Sequence, residues 1–188
     1  YRGFDVIFDP TVTIEEDLYR RDTTMNAMAV ELPAGTLLDP YGGQADLAAG
    51  IIRAVSPHFF EDPVRALRAA RQAAEFGYPV EEKTLALMRA CAEELEHEPS
   101  ERLMGELRRA LMTSRPSVFF GVLRAADLLT VTFPEVAALI GQTQPTEFHP
   151  EGDAYAHTMA MLDAVAERSD NIVVRFAALA HDLGTVSY

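Results

Sequence analysis

The sequence predicts a mainly helical protein with a small α/β part at its amino-terminal end. Two observations support this fold class. In residues 1–55, short apolar runs alternate with turn residues, a pattern typical of short strands and hairpins. From residue 56 onward, apolar residues recur at helical spacing, and capping residues or prolines separate the segments. At 188 residues, the chain can bury a substantial core and form one or two small domains.

The amino-terminal part is expected to contain a strand, a helix and a hairpin. Residues 4–8 are largely apolar and end at an Asp-Pro turn, so they predict a strand. Residues 13–21 begin with a threonine followed by acidic side chains, which predicts a capped helix. Residues 28–32 and 36–38 predict the two strands of a hairpin. The two glycines in the loop at 39–43 either allow a close approach of the backbone or act as a hinge.

The remainder of the chain is expected to be helical. A central helix ends at Gly77, which is followed by Tyr-Pro, a common stop signal. Apolar stripes and polar capping residues predict further helices over 81–95, from Ser100 to 111, from Ser117 onward, over 153–168 and over 171–183.

The composition narrows the classes of function. A net charge of −13 argues against a protein that coats nucleic acid non-specifically, although residues 61–115 hold 9 of the 16 basic side chains. No apolar run reaches the ~20 residues of a membrane span, and the single cysteine, Cys91, has no partner for an internal disulfide. The cytoplasm is therefore the expected location. Because the first residue is not Met, we expect the chain to be part of a longer protein.

The central stretch, residues 61–77, is the first candidate site. Pro63 suits the first helical position, and Asp62 before it can cap the free amides. Arg65, Arg68 and Arg71 recur every three residues and so share one broad helix face. A carboxylate beside a guanidinium can pair with the edge of a base, and further arginines can bind phosphates. The alternative is an ordinary capped helix with a solvated face.

A second candidate site lies at the end of the predicted helix over 13–21. Arg21 can bind a phosphate, Asp22 can accept a hydrogen bond from a ribose hydroxyl, and Asn26 can both donate and accept. The alternative is an ordinary helix end, where an arginine interacts favourably with the helix dipole.

Together these stretches resemble a known family, the class II nucleotidyltransferases, which include bacterial CCA-adding enzymes and poly(A) polymerases. Four motifs occur in the family's order: Arg-Arg-Asp-x-Thr-x-Asn-Ala at 20–27, Asp-Pro-x-Gly-Gly-x-x-Asp-Leu at 39–47, Glu-Asp-x-x-Arg at 61–65, and Arg-Leu-Met-Gly-Glu-Leu at 102–107. In the family these are, in order, a signature of the head, a hinge between head and neck, the motif that templates the incoming base, and a neck motif that supports it.

The resemblance implies a role for each matching residue. Asp62 and Arg65 would pair with the base of CTP or ATP. Asp22 would bind the ribose, with Asn26 nearby, and Gly42 and Gly43 would allow the head to move. The triphosphate would be bound by arginines, namely Arg21, Arg68 and possibly Arg71.

The implied activity is the addition of CMP and AMP, from CTP and ATP, to the 3′ ends of tRNA. A poly(A) polymerase of the same family, which uses ATP alone, is the nearest alternative. A nucleotide- or RNA-binding module without transfer activity is another. The implied partners are tRNA, CTP and ATP, with no membrane.

The chain departs from the family in its catalytic half. Family members carry a Gly-Gly-x-x-Arg-Asp turn and an Asp-x-Asp pair that binds Mg²⁺ for transfer, and this sequence contains neither. No catalytic residue is therefore assigned in this chain, and transfer activity is not expected from it alone. Thr23 stands where the family usually has a bulky apolar residue, and Gln72 stands where it often has Phe. Both differences predict altered packing.

A third constellation contains histidines near the carboxyl-terminal end. His157, His181 and Asp182 can supply ligands to one metal ion, with His149 as a weaker candidate. Lone histidines on apolar helix faces are more often core residues. The His-Asp pair resembles the HD phosphohydrolase domain appended to some CCA-adding enzymes, which implies a divalent metal and hydrolysis of cyclic and 2′-phosphates. The family's lysine after His-Asp-Leu-Gly is Thr185 here. A stand-alone HD hydrolase is a further alternative.

The resemblance also divides the chain into three parts. Residues 1–55 would be the carboxyl-terminal remnant of the nucleotidyltransferase head. Residues 56–115 would form the helical neck, and residues 116–188 a helical body that leads into an HD domain from about residue 149.

Overall fold

The computed structural model describes residues 9–142 and 153–185. The described parts are mainly helical, with one two-stranded sheet, which confirms the predicted fold class. The elements are α1 (Ile14–Tyr19), β1 (Ala29–Glu31), β2 (Thr36–Leu38), α2 (Gly43–Ala49), α3 (Arg65–Phe76), α4 (Glu82–Arg89), α5 (Ala92–Glu96), α6 (Ser100–Leu111), α7 (Ser117–Ala125), α8 (Leu129–Thr132), α9 (Pro134–Ala137), α10 (Ala154–Ala166) and α11 (Ile172–Ala180). Short 3₁₀ turns occupy Thr24–Asn26, Pro57–Glu61 and Leu183–Thr185.

The amino-terminal part contains the predicted helix and hairpin. Thr13 and Glu16 form a capping box, in which each side chain accepts a hydrogen bond from the other residue's backbone amide, at 3.2 and 2.8 Å. Strands β1 and β2 pair antiparallel, with Ala29 opposite Leu38. The strand predicted over residues 4–8 lies outside the described residues.

Helix α3 is the centre of the hydrophobic core. Its buried face consists mainly of small side chains, and Ala66, Ala69, Ala70 and Ala73 are all fully buried. Small residues let neighbouring helices approach closely, and α3 packs against both α6 and α7. The aromatic side chains of the core, from α7 and the turn before α9, fill the space beyond: Phe119, Phe120 and Phe133, with ring centroids 5.3 to 6.0 Å apart. Burying each such ring contributes about 1.5–3 kcal/mol.

Two helices differ from the sequence-based expectation. Helix α3 begins at Arg65 rather than at Pro63, because Asp62 adopts an extended backbone, and Val64 is the backbone amide that donates to its carboxylate, at 3.3 Å. The helix predicted over 81–95 is two helices, broken at Cys91, whose amide donates to the carbonyl of Met88 at 2.9 Å. The break is a tertiary effect, since it allows α4 and α5 each to bury a side chain in the same core.

The last two helices form a hairpin and begin where expected, each after a capping side chain, whereas Ser100 and Ser117, predicted as caps, are the first residues of α6 and α7 and make no capping hydrogen bond among the described residues. Asp153 accepts from the amide of Ala156 at 2.9 Å, and Asn171 accepts from Val173 at 2.9 Å. Within 9–142 and 153–185, no helix is long and apolar enough to cross a bilayer.

Arg175 on α11 joins this hairpin to α6. Its side chain is only 3% exposed. The guanidinium donates to the Asp170 carboxylate at 3.1 Å and to four backbone carbonyl oxygens at 2.6 to 2.9 Å, those of Leu111, Thr113, Ala166 and Ser169. These carbonyls include ones at the carboxyl-terminal ends of α6 and α10, which have no partner within their helices. The buried arginine therefore satisfies polar groups that the fold would otherwise leave unpaired.

Candidate functional site

A polar cavity of about 610 Å³ lies between the end of α1 and the start of α3. This volume is within the range of small-molecule sites. The lining side chains are all polar or charged: Asp17, Arg20, Arg21, Asp22, Asn26, Arg65 and Arg68. Four guanidinium groups face two carboxylates, so the cavity favours an anion although the chain as a whole is acidic.

One wall is the segment that follows α1. The carboxylate of Asp22 accepts a hydrogen bond from the backbone amide of Thr23 at 2.7 Å and another from the Asn26 side chain at 3.1 Å. Arg21 is half-exposed and pairs with Asp17, one turn earlier, at 2.5 Å. The predicted second site, with Arg21, Asp22 and Asn26, is thus assembled on this wall.

The other wall is the first turn and a half of α3. Arg65 donates to the backbone carbonyl of His58, which directs its side chain along the cavity. Arg68 is 38% exposed on its side chain and lies 3.6 Å from Glu106 and 3.9 Å from Asp62. These long ion pairs leave the Arg68 guanidinium partly solvated.

The structure places two predicted site residues behind this wall. Asp62 is 9% exposed and accepts from Arg102 of α6 at 2.7 Å. Arg71 pairs with Glu106 at 2.8 Å and with Glu75 at 2.6 Å. Neither residue lines the cavity. The α3 residues of the first candidate site therefore divide into two that line the cavity and one, Arg71, that is held against α6.

Glu106 is a functional candidate that the residue-level argument missed. It is 4% exposed and lies within 4 Å of three arginines, namely Arg68, Arg71 and Arg109. The signal was present, because Glu106 belongs to the neck motif at 102–107. A buried carboxylate between arginines fixes their positions and so supports the cavity wall.

Asp46 plays a similar part below the other wall. It is 7% exposed, accepts from the Thr24 hydroxyl at 2.7 Å and pairs with Arg53 at 3.0 Å. Arg53 in turn pairs with Glu81 at the start of α4. The hinge motif at 39–47 thus ties the turn that carries Asn26 to the helical part of the chain.

The glycine loop makes a close backbone approach. A side chain at Gly43 would place its Cβ 2.4 Å from the carbonyl oxygen of Thr24. The Asp39 carboxylate accepts from the amides of Gly43 and Gln44 at 2.6 and 2.9 Å. Burial alone would raise the pKa of Asp39, but these hydrogen bonds outweigh it and lower the pKa below its usual value. Of the two predicted roles for the loop, close approach is confirmed at Gly43, and the hinge stays a prediction.

A second group of side chains lies at the end of α11. One possible ligand atom from each of His157, His181 and Asp182 lies within 4.8 Å of the other two. His181 Nδ1 is 2.7 Å from the carbonyl of Ala178, and Nε2 is 3.2 Å from the Asp182 carboxylate. Because a carbonyl oxygen only accepts, Nδ1 is the donor in this hydrogen bond, and Nε2 is the ring nitrogen on the side of Asp182. The predicted metal group is therefore assembled in space. His149 lies outside the described residues.

Two family models match the sequence. The first, described as poly A polymerase head domain, matches residues 6–53. The second, described as probable RNA and SrmB-binding site of polymerase A, matches residues 77–140. The cavity wall at 17–26 lies in the first match, and α3 lies between the two.

Close relatives in sequence are named multifunctional CCA proteins. The protein of Nitrosococcus oceani is 54% identical over 186 residues, and that of Vibrio campbellii is 50% identical over 189 residues. These alignments cover 98% of this chain and 46% of each relative. The chain thus spans about half the length of the relatives it matches.

Solved structures agree with these matches. A tRNA nucleotidyltransferase complexed with a primer tRNA and an incoming ATP analogue has a TM-score of 0.68 at 29% identity, covering 92% of this chain and 52% of that one. A CCA-adding enzyme in complex with ATP has a TM-score of 0.66 at 35% identity, covering 89% of this chain and 40% of that enzyme. The fold is thus that of nucleotidyltransferases of the poly(A) polymerase type. Within that class, this chain is similar over nearly its whole length to part of proteins of the class II CCA-adding family.

Proposed function

We propose that the cavity between α1 and α3 selects CTP and ATP for the addition of CCA to tRNA. The observation that carries this proposal is the set of four arginines around Asp22 and Asn26 in one cavity. Guanidinium groups suit a triphosphate, and a carboxylate beside an amide suits the hydroxyls of a ribose. The relatives named as CCA proteins and the neighbour solved with an ATP analogue support the same substrates.

The positions of the residues support the roles that the resemblance implies. Arg21 and Arg68 bind the triphosphate from opposite walls, and Asp22 with Asn26 binds the ribose. Arg71, which belongs to the phosphate-binding set by resemblance, acts through Glu106, which it shares with Arg68.

Arg65 and Asp62 select the base. Arg65, which lines the cavity, donates to a ring acceptor. Asp62 lies behind the wall in the structure, and its Oδ2, the oxygen on the Arg68 side, would accept from the exocyclic amine of a base that enters between α1 and α3. Cytosine and adenine both present an amine beside a ring acceptor. Guanine and uracil present a carbonyl at that place, which would face the carboxylate, and are rejected.

Transfer itself requires divalent metal, typically Mg²⁺, which the family implies. The carboxylates that would bind it for transfer are not in this sequence. We therefore infer that this chain binds the nucleotide without transferring it. We place the protein in the cytoplasm, and we expect tRNA to contact the region of residues 77–140.

Calorimetric titration of the chain with CTP, ATP, GTP and UTP tests the proposal. We expect binding of CTP and ATP only, and a loss of about tenfold or more in Arg65→Ala, because a charge-assisted bidentate contact contributes about 1.5–3 kcal/mol. Arg89→Ala is the matched control, since Arg89 pairs with Asp127 and does not line the cavity. Binding of ATP alone would favour a poly(A) polymerase, and equal binding of all four would refute base selection.

The histidine group favours a second function, metal-dependent hydrolysis of phosphate esters. His157, His181 and Asp182 offer a mixed nitrogen and oxygen donor set that suits a divalent transition metal. We expect Mn²⁺ or Ni²⁺ to bind in titrations with the parent chain and not with His157→Ala. His97→Ala, an exposed histidine outside the group, should bind as the parent does. A chain that binds no such metal would refute this second function.

A further inference from the structure

A buried hydrogen bond joins the two walls of the cavity. The hydroxyl of Thr23 donates to the side-chain oxygen of Gln72 at 2.9 Å, across 49 residues of sequence. Thr23 is fully buried and Gln72 is 2% exposed. These are the two positions where the sequence departs from the family's apolar residues, and the structure shows that the two departures contact each other.

The position of this pair relates it to the site. Thr23 directly follows Asp22, and the Asp22 carboxylate accepts from the Thr23 amide at 2.7 Å. Gln72 lies one helical turn after Arg68 on α3, so the two α3 residues share a face. The hydrogen bond therefore fixes the distance between the wall that carries Asp22 and the wall that carries Arg68.

The other contacts of the Thr23 segment point away from α3. The backbone of Thr23 pairs with Ala54 in an isolated bridge, and the Thr24 amide donates to the carbonyl of Arg53 at 2.9 Å. These contacts join the segment to the strand-like residues that lead out of α2. Among the described residues, the Thr23 hydroxyl is thus the group that joins this segment to α3 by a hydrogen bond. A satisfied buried polar pair makes the structure around it more rigid.

We propose that the Thr23–Gln72 hydrogen bond is a positioning pair that sets the selectivity of the site for ribose over deoxyribose. This inference rests on the proposed function, in which Asp22 accepts from a ribose hydroxyl. A hydrogen bond between two oxygens weakens steeply when the angle at its hydrogen falls below about 120°, so it depends on how the acceptor is placed. Loss of the pair changes the spacing of Asp22 from Arg68, whereas Asp62 and Arg65 remain together at the start of α3 and continue to select the base.

The test compares CTP, dCTP and GTP binding in the parent chain, Thr23→Val, Gln72→Met and Thr23→Ser. We expect the parent to prefer CTP over dCTP. Thr23→Val and Gln72→Met should each lower that preference by about threefold to tenfold, the range for one hydrogen bond, while GTP remains excluded. Thr23→Ser retains the hydroxyl and should retain the preference.

A matched control separates positioning from stability. Thr132 is also a buried threonine, with its hydroxyl donating to the carbonyl of Leu128 at 2.8 Å. Thr132→Val should lower the free energy of unfolding to a similar extent and leave the CTP/dCTP ratio unchanged. An unchanged ratio in Thr23→Val, or an equal loss of CTP and dCTP affinity, would overturn the positioning role. A parent chain that binds no nucleotide would instead refute the proposed function, and the inference with it.

Discussion

The cavity and the junction at Arg175 use the same side chain in opposite surroundings. Arg175 is 3% exposed and bonded to four backbone carbonyls and one carboxylate, so every part of its guanidinium is engaged by the fold. Arg68 is 38% exposed, and its ion pairs are 3.6 and 3.9 Å long. The comparison teaches that burial and partner geometry, rather than residue type, separate an arginine that stabilises the fold from one that remains available to a ligand.

The largest expected effect is at the buried arginine. Arg175→Met retains the aliphatic stem but leaves several buried carbonyls without donors, so we expect a loss of about 3–5 kcal/mol in the free energy of unfolding. Urea denaturation measures it. Arg168→Met, an exposed arginine in the same hairpin, should change stability by less than about 0.5 kcal/mol. Equal effects of the two substitutions would remove the basis of the comparison.

The solvated cavity nevertheless depends on close packing beneath it. In Gly43→Ala the new Cβ would lie 2.4 Å from the Thr24 carbonyl oxygen and 2.9 Å from the Met28 side chain, so we expect a loss of about 2–3 kcal/mol in urea denaturation. The substitution displaces the Thr24–Asn26 turn and should weaken CTP binding as well. Gly105→Ala, in the middle of α6 with nothing within 4 Å, should stabilise the chain by about 0.5–1 kcal/mol. Similar results for the two glycines would contradict the close approach.

Much of the fold could be predicted because its signals are local. Thr13 caps α1 as expected, and the helices predicted to start at Asp153 and Asn171 do start there, since each of these side chains acts within three residues. The break at Cys91 could not be predicted, because it depends on which side chains the distant helices bury. Local periodicity cannot report such contacts.

The site was predictable in membership but not in arrangement. Spacing placed Arg65, Arg68 and Arg71 on one face, yet Glu106, 35 residues after Arg71, holds that arginine against α6. The Asp62 carboxylate likewise accepts a hydrogen bond from Arg102, which lies 40 residues away in sequence. The Thr23–Gln72 contact was visible only as two departures from a family pattern. Which charged residue faces the cavity is decided by partners that lie far away in sequence.

A smaller effect is expected at the solvated arginine. Arg68→Met should lower CTP affinity by about tenfold, because a charge-assisted contact to phosphate is lost, and should change the free energy of unfolding by less than about 1 kcal/mol. Calorimetric titration and urea denaturation of the same samples give both values. Arg71 is 18% exposed and has ion pairs of 2.8 and 2.6 Å. Arg71→Met should therefore lower the free energy of unfolding more than Arg68→Met does, and lower CTP affinity less. If Arg68→Met unfolded the chain as Arg175→Met does, the distinction between the two surroundings would fail.

The smallest effect concerns Asp39, whose carboxylate supports α2 beneath the cavity. Asp39→Ala removes the acceptor for the Gly43 and Gln44 amides and should lower the free energy of unfolding by about 1 kcal/mol at pH 7. Because the pKa of Asp39 is lower in the folded chain than in the unfolded one, this stabilisation is present above the unfolded value of about 3.9 and is lost as the pH falls through the folded value. The difference between the parent and Asp39→Ala, measured by urea denaturation, should therefore shrink below about pH 4. Asp39→Asn retains an oxygen acceptor that does not titrate, so its stability relative to Asp39→Ala should stay constant across the same range. A constant difference between the parent and Asp39→Ala would show that the ionised carboxylate does not stabilise α2, and that the glycine loop is supported by packing alone.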